Sequence, residues 1–334
     1  MIAANLPGAQ RVMVLYTGGT IGMQASADGL VPASGFEVRM SDYLASQPQL
    51  QVPQWRLREM SPLIDSANMS PAYWLRLRTA IIEAIEQDGC DAVLVLHGTD
   101  TLAYSAAAVS FQLLGFPAPV LFTGSMLPAG APDSDAWENL AGALSALAQG
   151  QPHGVQLYFH GELLAPTRCA KVRSFGRNPF VALKRQGGAP KAAPLPHALA
   201  YHQAKSEACV GVLPLVPGIQ AAQLDALLAS GIQALVLECY GSGTGPSDNP
   251  AFLASLQQAH ENGIVVVAIT QCHEGGVQLD VYEAGSRLRK AGVSSGGGMT
   301  REAVFGKLHA LLGSGLPITE VRRLVELDIG GELA

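Results

Sequence analysis

The segment RVMVLYTGGT, residues 11–20, joins an apolar run to two glycines and a threonine. Its apolar positions are consecutive instead of alternating with polar ones, which is typical of a strand buried on both faces. Such strands occur in parallel sheets that helices cover on both sides. The segment therefore predicts an α/β fold in which small and hydroxyl residues follow the carboxyl end of the first strand.

Two later segments repeat this arrangement. A predicted strand at 92–96 is followed by His97-Gly98-Thr99-Asp100-Thr101, and one at 120–122 is followed by Thr123-Gly124-Ser125. Ligands of open α/β sheets bind at the carboxyl ends of strands. Glycine lets a backbone N–H approach a ligand, and a hydroxyl can donate, accept or attack. One such turn can be no more than a tight connection, but three together predict a binding crevice.

The alternation of strands and helices continues and predicts two α/β domains, each a mostly parallel sheet flanked by helices, with the N-terminal one larger. At 334 residues the chain is too long for one ordinary core. Residues 186–199 are rich in Gly, Ala and Pro and lack periodicity, which indicates a linker. The predicted domains are 1–185 and 209–334, with a linker at 186–208.

The remaining elements follow from apolar periodicity and from capping residues. The predicted strands are 11–16, 92–96, 120–122, 154–159, 210–216, 234–238 and 264–270. The predicted helices are 70–87 with Ser70 as cap, 100–114 beginning at Asp100 or Thr101, 133–148 capped by Asp133 and Ser134, 218–228, 250–261 capped by Asn249, 301–312 capped by Thr300, and 319–326.

Charge and hydropathy exclude several classes of partner. The formal net charge is −6 without a run of Lys or Arg, whereas phosphate binding needs clustered basic residues, so no nucleic acid is expected. Residues 1–10 contain no basic region followed by an apolar stretch, so no secretory signal is expected. The apolar strings are far shorter than the roughly 20 residues that span a bilayer. We expect a cytoplasmic protein that does not bind a membrane.

The cysteines are widely spaced and odd in number. They form no C-x-x-C pair, which predicts neither a zinc site nor a disulfide framework. They are expected to be small buried residues. The five are Cys90, Cys169, Cys209, Cys239 and Cys272.

Motifs of several enzyme classes are missing from the sequence. Residues 18–22 lack the G-x-G-x-x-G spacing, and Gly306-Lys307 is followed by Leu308, so no phosphate loop is predicted. His273-Glu274 does not extend to H-E-x-x-H, and no metal site is predicted.

Two motifs resemble those of a known family. YTGGTIG at 16–22 is similar to the first signature of bacterial-type L-asparaginases, and HGTDTL at 97–102 is similar to the second. The two follow predicted strands and lie about 80 residues apart, which makes the combination highly specific. Met23 after the first motif, together with Asp65-Ser66, resembles the cytoplasmic type I branch. The resemblance spans nearly the whole chain.

The resemblance implies hydrolysis of L-asparagine to L-aspartate and ammonia. Thr20 would be the nucleophile that forms a β-aspartyl ester. Thr99, Asp100 and Lys171 would form a second hydroxyl–carboxylate–amine set. An alcohol is almost fully protonated at pH 7, so a nucleophilic threonine needs a nearby base or a strong local field.

The resemblance also assigns substrate-binding residues. Asp65, Ser66 and Ala67 would hold the α-carboxylate and the α-amino group, the latter also bound by Asp100. Ser125 would lie near the side-chain amide. Backbone N–H groups of the glycine-rich turns, at Gly19 and Gly98, are candidate oxyanion donors. The family needs no metal or organic cofactor, and it assembles as homodimers or homotetramers.

Three positions depart from the family pattern. Leu30 stands where many relatives carry a lid tyrosine, and it has no hydroxyl. Ala67 lacks a polar side chain, which leaves only its backbone for substrate. Thr244 replaces an asparagine that is common in relatives. These three positions bear on substrate range and affinity.

Several alternatives remain open at this stage. A mixed glutaminase–asparaginase differs only in accepting a side chain one methylene longer. An amidotransferase subunit needs an additional N-terminal domain that we do not expect here. A non-catalytic amino-acid sensor would be favoured by loss of Thr20, Thr99 or Lys171, all of which are present. A nucleotide-binding module predicts stabilisation by ATP or NAD, whereas an asparaginase predicts stabilisation by aspartate.

Overall fold

A computed structural model describes residues 7–27, 29–183 and 194–333 of the 334. The chain divides into two compact units, Met1–Ala182 and Leu183–Ala334. The predicted domain limits and linker stay predictions, and residues 186–193 of that linker lie outside the described residues.

The N-terminal unit is built around a mostly parallel sheet. In its described part, the strands are β1 Arg11–Gly18, β2 Gln24–Ser26, β3 Gly29–Val31, β4 Gln54–Ile64, β5 Ala92–Leu96, β6 Val120–Thr123, β7 Val155–Phe159, β8 Glu162–Leu164, β9 Cys169–Lys171 and β10 Phe180–Ala182, and the helices are α1 Phe36–Ala45, α2 Pro71–Glu86, α3 Leu102–Gln112 and α4 Ala136–Ala148. The main sheet has the order β4-β1-β5-β6-β7-β8, in which only β8 is antiparallel to its neighbour. Two antiparallel pairs, β2–β3 and β9–β10, lie outside it.

The central strands are buried on both faces, as their consecutive apolar residues predict. All five residues of β5 and all four of β6 are buried. β1 pairs in parallel with β5, where Tyr16 lies beside Leu96, and Leu96 lies beside Thr123 of β6. The three strands therefore end at the same edge of the sheet, and the turns that follow them are neighbours.

The helix starts show where capping was predicted correctly and where it was not. The Ser70 hydroxyl accepts a hydrogen bond from Tyr73 N at 3.3 Å, which confirms it as the cap of α2. Of the two residues predicted to cap α4, which begins at Ala136, Ser134 does so, because its hydroxyl accepts a hydrogen bond from Ala136 N at 3.1 Å. Asp133 takes a left-handed conformation with φ 54°, which ends the preceding turn and cannot continue into a helix. α3 begins at Leu102, one residue after Thr101.

The longest strand, β4, was absent from the sequence prediction. It has eleven residues and pairs in parallel with β1 at the edge of the sheet, with Gln54 beside Arg11 and Ile64 beside Gly18. Charged residues at Arg56, Arg58 and Glu59 interrupt its apolar positions, and most of its residues are exposed or half-buried. An edge strand has a paired neighbour on one side only and is partly exposed to solvent. Its sequence therefore lacks the continuous apolar run that identifies a central strand.

The C-terminal unit is a smaller parallel sheet with helices. Its strands are β11 Val210–Pro214, β12 Ala234–Cys239, β13 Val265–Thr270 and β14 Ser294–Ser295, and its helices are α5 Ala221–Leu228, α6 Pro250–Glu261, α7 Glu283–Lys290, α8 Arg301–Gly313 and α9 Ile318–Val325. The strand order is β11-β12-β13-β14, and every neighbouring pair is parallel. Both units thus have the predicted α/β architecture.

The capping residues predicted for two helices of this unit are confirmed, and the predicted start of a third helix is wrong. Asn249 accepts from Phe252 N at 3.2 Å, and Thr300 accepts from Ala303 N at 3.0 Å, as predicted for α6 and α8. α5 begins at Ala221 instead of 218, because Gly218 has φ 86° and belongs to the preceding turn.

The predicted burial of the cysteines holds only for some of them. Cys90, Cys169 and Cys239 are buried, and all five are free thiols. Cys209 and Cys272 are exposed, so the expectation of burial is wrong for these two. Both lie at the ends of strands instead of within them, where the chain meets solvent.

We predict that acid destabilises the C-terminal unit through His309. Burial lowers the pKa of this histidine from 6.5 to about 4, so the folded unit binds fewer protons than the unfolded chain. The stabilisation is full above pH 6.5 and is lost as the pH falls towards 4. At pH 5 the expected loss is about 2 kcal/mol in the free energy of unfolding, measurable by urea titration.

His309→Gln removes this titration, so its stability is expected to fall less between pH 7.5 and pH 5 than that of the wild type. His153 is exposed and serves as the matched control in His153→Gln. A His309→Gln protein with the same acid dependence as wild type would contradict the assignment.

Candidate active site

The turns after β1 and β5 touch through glycine backbones. Gly19 has φ 78°, and a Cβ atom there would lie 3.0 Å from the carbonyl carbon of His97. A Cβ atom on Gly98 would lie 3.1 Å from Gly19 Cα and 2.6 Å from the Ser66 hydroxyl oxygen. Only glycine allows these segments to approach so closely. The structure thus brings together Gly19, Gly98 and Ser66, three of the residues predicted for the site.

Thr20 begins a single 3₁₀ turn, Thr20–Gly22, directly after this contact. It is half-buried, whereas Gly19 before it is buried. The Gly19 N–H donates to Ile64 O at 3.1 Å, so this amide is occupied within the protein. Gly19 was predicted to bind substrate through that N–H group. That role stays a prediction, and in the structure Gly19 lets the backbone of its turn approach that of Gly98 closely.

Lys171 joins the two residues that follow Gly98. Its Nζ donates to Thr99 Oγ1 at 2.9 Å and to Asp100 Oδ1 at 2.7 Å. The Lys171 side chain is 18% exposed and that of Asp100 is 63% exposed, so solvent screens the ion pair and its contribution to stability is small. Thr99 itself is buried. The predicted hydroxyl–carboxylate–amine set is therefore assembled by β9 and the turn after β5.

A second 3₁₀ turn, Ser66–Asn68, lies beside Gly98 and has Asp65 as its N-cap. Asp65 Oδ1 accepts from Ala67 N at 3.1 Å, which caps the turn and leaves the second carboxylate oxygen available. Thr101 Oγ1 donates to Ser66 O at 2.8 Å and so ties the turn to the start of α3. Thr101 was not predicted to take part. Its only sequence signal is its place in the motif at 97–102.

Ser125 follows β6 and is completely buried. Its hydroxyl donates to Leu127 O at 2.5 Å. A Cβ atom on Gly124 would collide with the carbonyl of His97, so this third turn packs directly on the second. All three glycine-bearing turns are therefore in one contiguous region at the carboxyl edge of the sheet.

Comparison with known proteins identifies the family. A family model described as "Asparaginase, N-terminal" matches residues 11–189, and one described as "Glutaminase/Asparaginase C-terminal domain" matches residues 209–325. The chain belongs to the asparaginase family. This membership makes it an amidohydrolase and agrees with the resemblance predicted from the two motifs.

Relatives of the asparaginase-family chain match over nearly its full length. It is 36% identical to L-asparaginase 1 of Escherichia coli K12, over 96% of this chain and 97% of the relative. The crystal structure of L-asparaginase I from Vibrio cholerae superposes with a TM-score of 0.81 at 33% identity, covering 97% of this chain and 99% of the other. A component of the glutamyl-tRNA(Gln) amidotransferase of Methanobrevibacter smithii is 30% identical over 98% of this chain and 78% of its own length.

His97 is a residue of this asparaginase-family site that the sequence analysis did not single out. It is fully buried, and its Nδ1 lies 2.7 Å from Gly98 O. A carbonyl only accepts, so Nδ1 carries the proton. Burial lowers the pKa of His97 to about 4, which keeps the ring neutral. Its position in the second motif was the sequence signal that could have identified it. In the structure, the hydrogen bond from Nδ1 fixes the direction of the Gly98 carbonyl.

Leu30 lies on β3 of the hairpin that corresponds to the lid predicted by resemblance. Its side chain is 52% exposed, and residue 28 in the same hairpin lies outside the described residues. β2 pairs with β3 in antiparallel register, with Ala25 beside Leu30. Thr244 forms an isolated bridge with Tyr240 in the C-terminal unit.

Metal-ligating residues do not cluster in the described part of the asparaginase-family chain, where no group of three or more His, Cys, Asp or Glu is found. The absence of a cofactor stays a prediction. Across residues 7–27, 29–183 and 194–333, no helix is long and apolar enough to cross a bilayer.

We predict that Gly98→Ala disrupts the site. The new methyl group would lie 2.6 Å from the Ser66 hydroxyl and 2.8 Å from Ser66 Cβ, so the turn at 66–68 or the end of β5 must move. Overpacking of this kind costs about 1–3 kcal/mol of stability. We expect a lower melting temperature and a raised KM for the substrate. Gly130→Ala, at an exposed position with open space around it, is the matched control and is expected to change neither.

Proposed function

We propose that this chain hydrolyses L-asparagine to L-aspartate and ammonia through a β-aspartyl ester on Thr20. The observation that supports this most directly is the placement of Lys171 Nζ within hydrogen-bonding distance of both Thr99 and Asp100, next to the Gly98–Gly19 contact. Family membership and full-length relatives named L-asparaginase support the same reaction.

In the proposed first step, the Thr20 oxygen attacks the side-chain carbonyl carbon of the substrate. The C–N bond then breaks, the threonine proton passes to the nitrogen, and ammonia leaves. Because Thr99 Oγ1 accepts its hydrogen bond from Lys171, the hydroxyl proton of Thr99 is free to be donated to a partner. Thr99 is therefore suited to relay a proton towards the leaving nitrogen.

In the proposed second step, water attacks the ester carbonyl carbon. The C–O bond to Thr20 breaks, the water proton returns to the threonine oxygen, and aspartate is released. Dividing the reaction in this way replaces one difficult amide hydrolysis by two easier transfers. The positive charge on Lys171 stabilises the negative charge that develops in both steps.

Substrate orientation is assigned to the turn at 65–67 and to Asp100. The free oxygen of Asp65 and the exposed carboxylate of Asp100 are acceptors suited to an α-ammonium group. The Ser66 hydroxyl would bind the α-carboxylate, whereas the Ala67 N–H already donates to Asp65 Oδ1 at 3.1 Å. Gly98 stays a candidate oxyanion donor, whereas the Gly19 N–H is occupied by Ile64 O.

Assembly and location belong to the same proposal. A homodimer or homotetramer is implied by the family resemblance, and a cytoplasmic location by the type I resemblance and by the similarity to E. coli L-asparaginase 1. Size-exclusion chromatography with light scattering would measure the number of subunits.

The deciding experiment is ammonia release from L-asparagine and, separately, from L-glutamine by the purified wild-type protein. Faster release from asparagine is expected. Equal rates would establish a mixed glutaminase–asparaginase, the alternative favoured by the "Glutaminase/Asparaginase" description of the matched C-terminal domain. No release from either substrate, with aspartate still raising the melting temperature, would indicate an amino-acid sensor.

A further inference from the structure

The short turn that carries Thr20 is held by two kinds of hydrogen bond. Gly22 N donates to Gly19 O at 3.2 Å and Met23 N donates to Thr20 O at 3.1 Å, and these local bonds set the shape of the turn. The carbonyls of Ile21 and Gly22 accept instead from residues that are distant in the sequence. Local bonds move with the turn, whereas bonds to distant residues fix its place relative to the rest of the site.

Arg39 of α1 makes the first of these distant bonds. Its Nη2 donates to Gly22 O at 2.9 Å, and a donor that carries charge makes a stronger hydrogen bond than a neutral one. The half-buried guanidinium lies over the ring of Phe36, with Cζ 5.0 Å from the ring centroid. A Cβ atom on Gly22 would collide with the Tyr16 side chain, so the backbone of the turn also rests directly on an aromatic ring.

Trp137 of α4 supports the neighbouring carbonyl through one intermediate residue. Ala129 N donates to Ile21 O at 3.2 Å, and Ala129 O accepts from Trp137 Nε1 at 3.1 Å. The Ile21 side chain is completely buried. The indole N–H therefore fixes Ala129, and Ala129 fixes the middle of the turn.

The two supports belong to one stack of aromatic rings. The ring of Phe36 stacks on Tyr16, with centroids 5.2 Å apart, and on Trp137, with centroids 5.9 Å apart. We call Tyr16, Phe36, Arg39 and Trp137 the platform. Its members come from β1, α1 and α4, and close-packed groups of this kind resist displacement. The platform is therefore a fixed reference for the turn.

The platform holds the chain where it leaves the turn for an exposed hairpin. All residues of β2 and β3 are exposed. Arg39 binds Gly22 just before this hairpin, and Tyr16 Oη donates to Ala33 O at 3.1 Å just after it. The hairpin is thus anchored at both ends, and Thr20 lies on the anchored side.

We propose that Arg39 and Trp137 are positioning residues for the nucleophile and act through the carbonyls of Gly22 and Ile21. Attack requires the Thr20 oxygen to be held close to the substrate carbonyl carbon, and a displacement of about 1 Å can cost roughly 10²-fold in rate. This inference rests on the proposed hydrolysis of asparagine through Thr20.

The platform is expected to act on the rate and not on binding. The residues assigned to hold the α-ammonium and α-carboxylate groups follow other strands of the sheet, and none of them bonds to the platform within the described residues. They are Asp65, Ser66 and Asp100.

The test measures kcat for ammonia release from L-asparagine and the dissociation constant of L-aspartate by calorimetry, well below the melting temperature of every variant. Arg39→Met keeps the apolar stem over Phe36 but deletes the donor, and kcat is expected to fall about 10–100-fold with aspartate binding unchanged. Arg39→Lys keeps a charged donor and is expected to be faster than Arg39→Met. Trp137→Phe keeps a ring in the stack, deletes the N–H and is expected to lower kcat in the same way.

Arg322→Met is the matched control. Arg322 is a half-buried arginine of the C-terminal unit whose Nη2 donates to His260 O at 2.7 Å, so its loss also removes a bond to a backbone carbonyl. The melting temperature of this variant is expected to fall while kcat stays that of the wild type.

A folded Arg39→Met enzyme with the kcat of the wild type overturns the inference. An equal loss of kcat and of aspartate binding also overturns it, because the whole site would then be distorted. If Arg39→Met does not fold, Trp137→Phe decides by the same two measurements. A wild type that releases no ammonia from asparagine overturns the proposed function, whereas an active wild type with unchanged kcat in both variants overturns this inference alone.

Discussion

Replacing Thr20 by valine is expected to reduce ammonia release from asparagine by at least about 10⁴-fold, because valine keeps the shape of threonine but has no nucleophilic oxygen. The half-buried side chain begins a short turn whose backbone bond, Met23 N to Thr20 O at 3.1 Å, does not depend on the hydroxyl. The fold should therefore persist. The measurement is kcat for ammonia release together with the melting temperature of each variant.

Thr20→Ser is the matched control, since it restores a hydroxyl at the same position. We expect it to retain far more activity than Thr20→Val. A folded Thr20→Val protein that still turned over asparagine at a rate near that of the wild type would assign the nucleophile to another residue.

Removing the Lys171 ammonium is the second large effect. Lys171→Met keeps the length of the side chain but deletes the donor that lies 2.9 Å from Thr99 Oγ1 and 2.7 Å from Asp100 Oδ1. A positioned acid–base group of this kind typically contributes about 10²–10⁴-fold to the rate, so we expect kcat to fall by that factor. The measurement is steady-state kinetics, with circular dichroism as the check on folding.

Lys290→Met is the matched control, because Lys290 ends α7 in the C-terminal unit and is exposed. It is expected to leave kcat unchanged. Unchanged turnover in Lys171→Met would mean that the Lys171 contacts are structural and that Thr99 is activated in another way.

Sequence alone predicted the parts of the fold whose signal is local. The consecutive apolar residues of β5 mark a central strand without any knowledge of its neighbours, and Ser70, Asn249 and Thr300 mark helix starts through their own side-chain bonds. The parts that depend on distant partners were missed. β4 is a strand because β1 offers it an edge, and nothing in its own charged and apolar residues distinguishes it from a loop.

The candidate site likewise contains features that the sequence predicts and features that depend on distant contacts. The motif residues Thr99 and Lys171 could be paired through the family resemblance, although they are far apart in the chain, and their contact is present. The hydrogen bonds that Asp135 accepts from Met126 N and Leu127 N had no such signal. An acidic residue before a helix is ordinarily a cap, and only the tertiary contacts of Asp135 show that it binds a different segment. The occupied N–H of Gly19 likewise depends on Ile64, a residue of the strand that was missed.

The strand order of the N-terminal sheet has a consequence for biosynthesis. Val12 of β1 pairs with Trp55 on one side and Ala92 on the other, and β7 completes the parallel part of the sheet only at Val155–Phe159. Strands this distant in sequence pair slowly, because the chain loses the entropy of closing the intervening loop before contacts between the strands stabilise it. A nascent chain therefore carries β1 with an unpaired edge until β5 has been synthesised, and the apolar β5 with an unpaired edge until Val120–Thr123 has been synthesised. Aggregation competes with folding during that interval. Slower synthesis at low temperature is expected to increase the yield of folded protein.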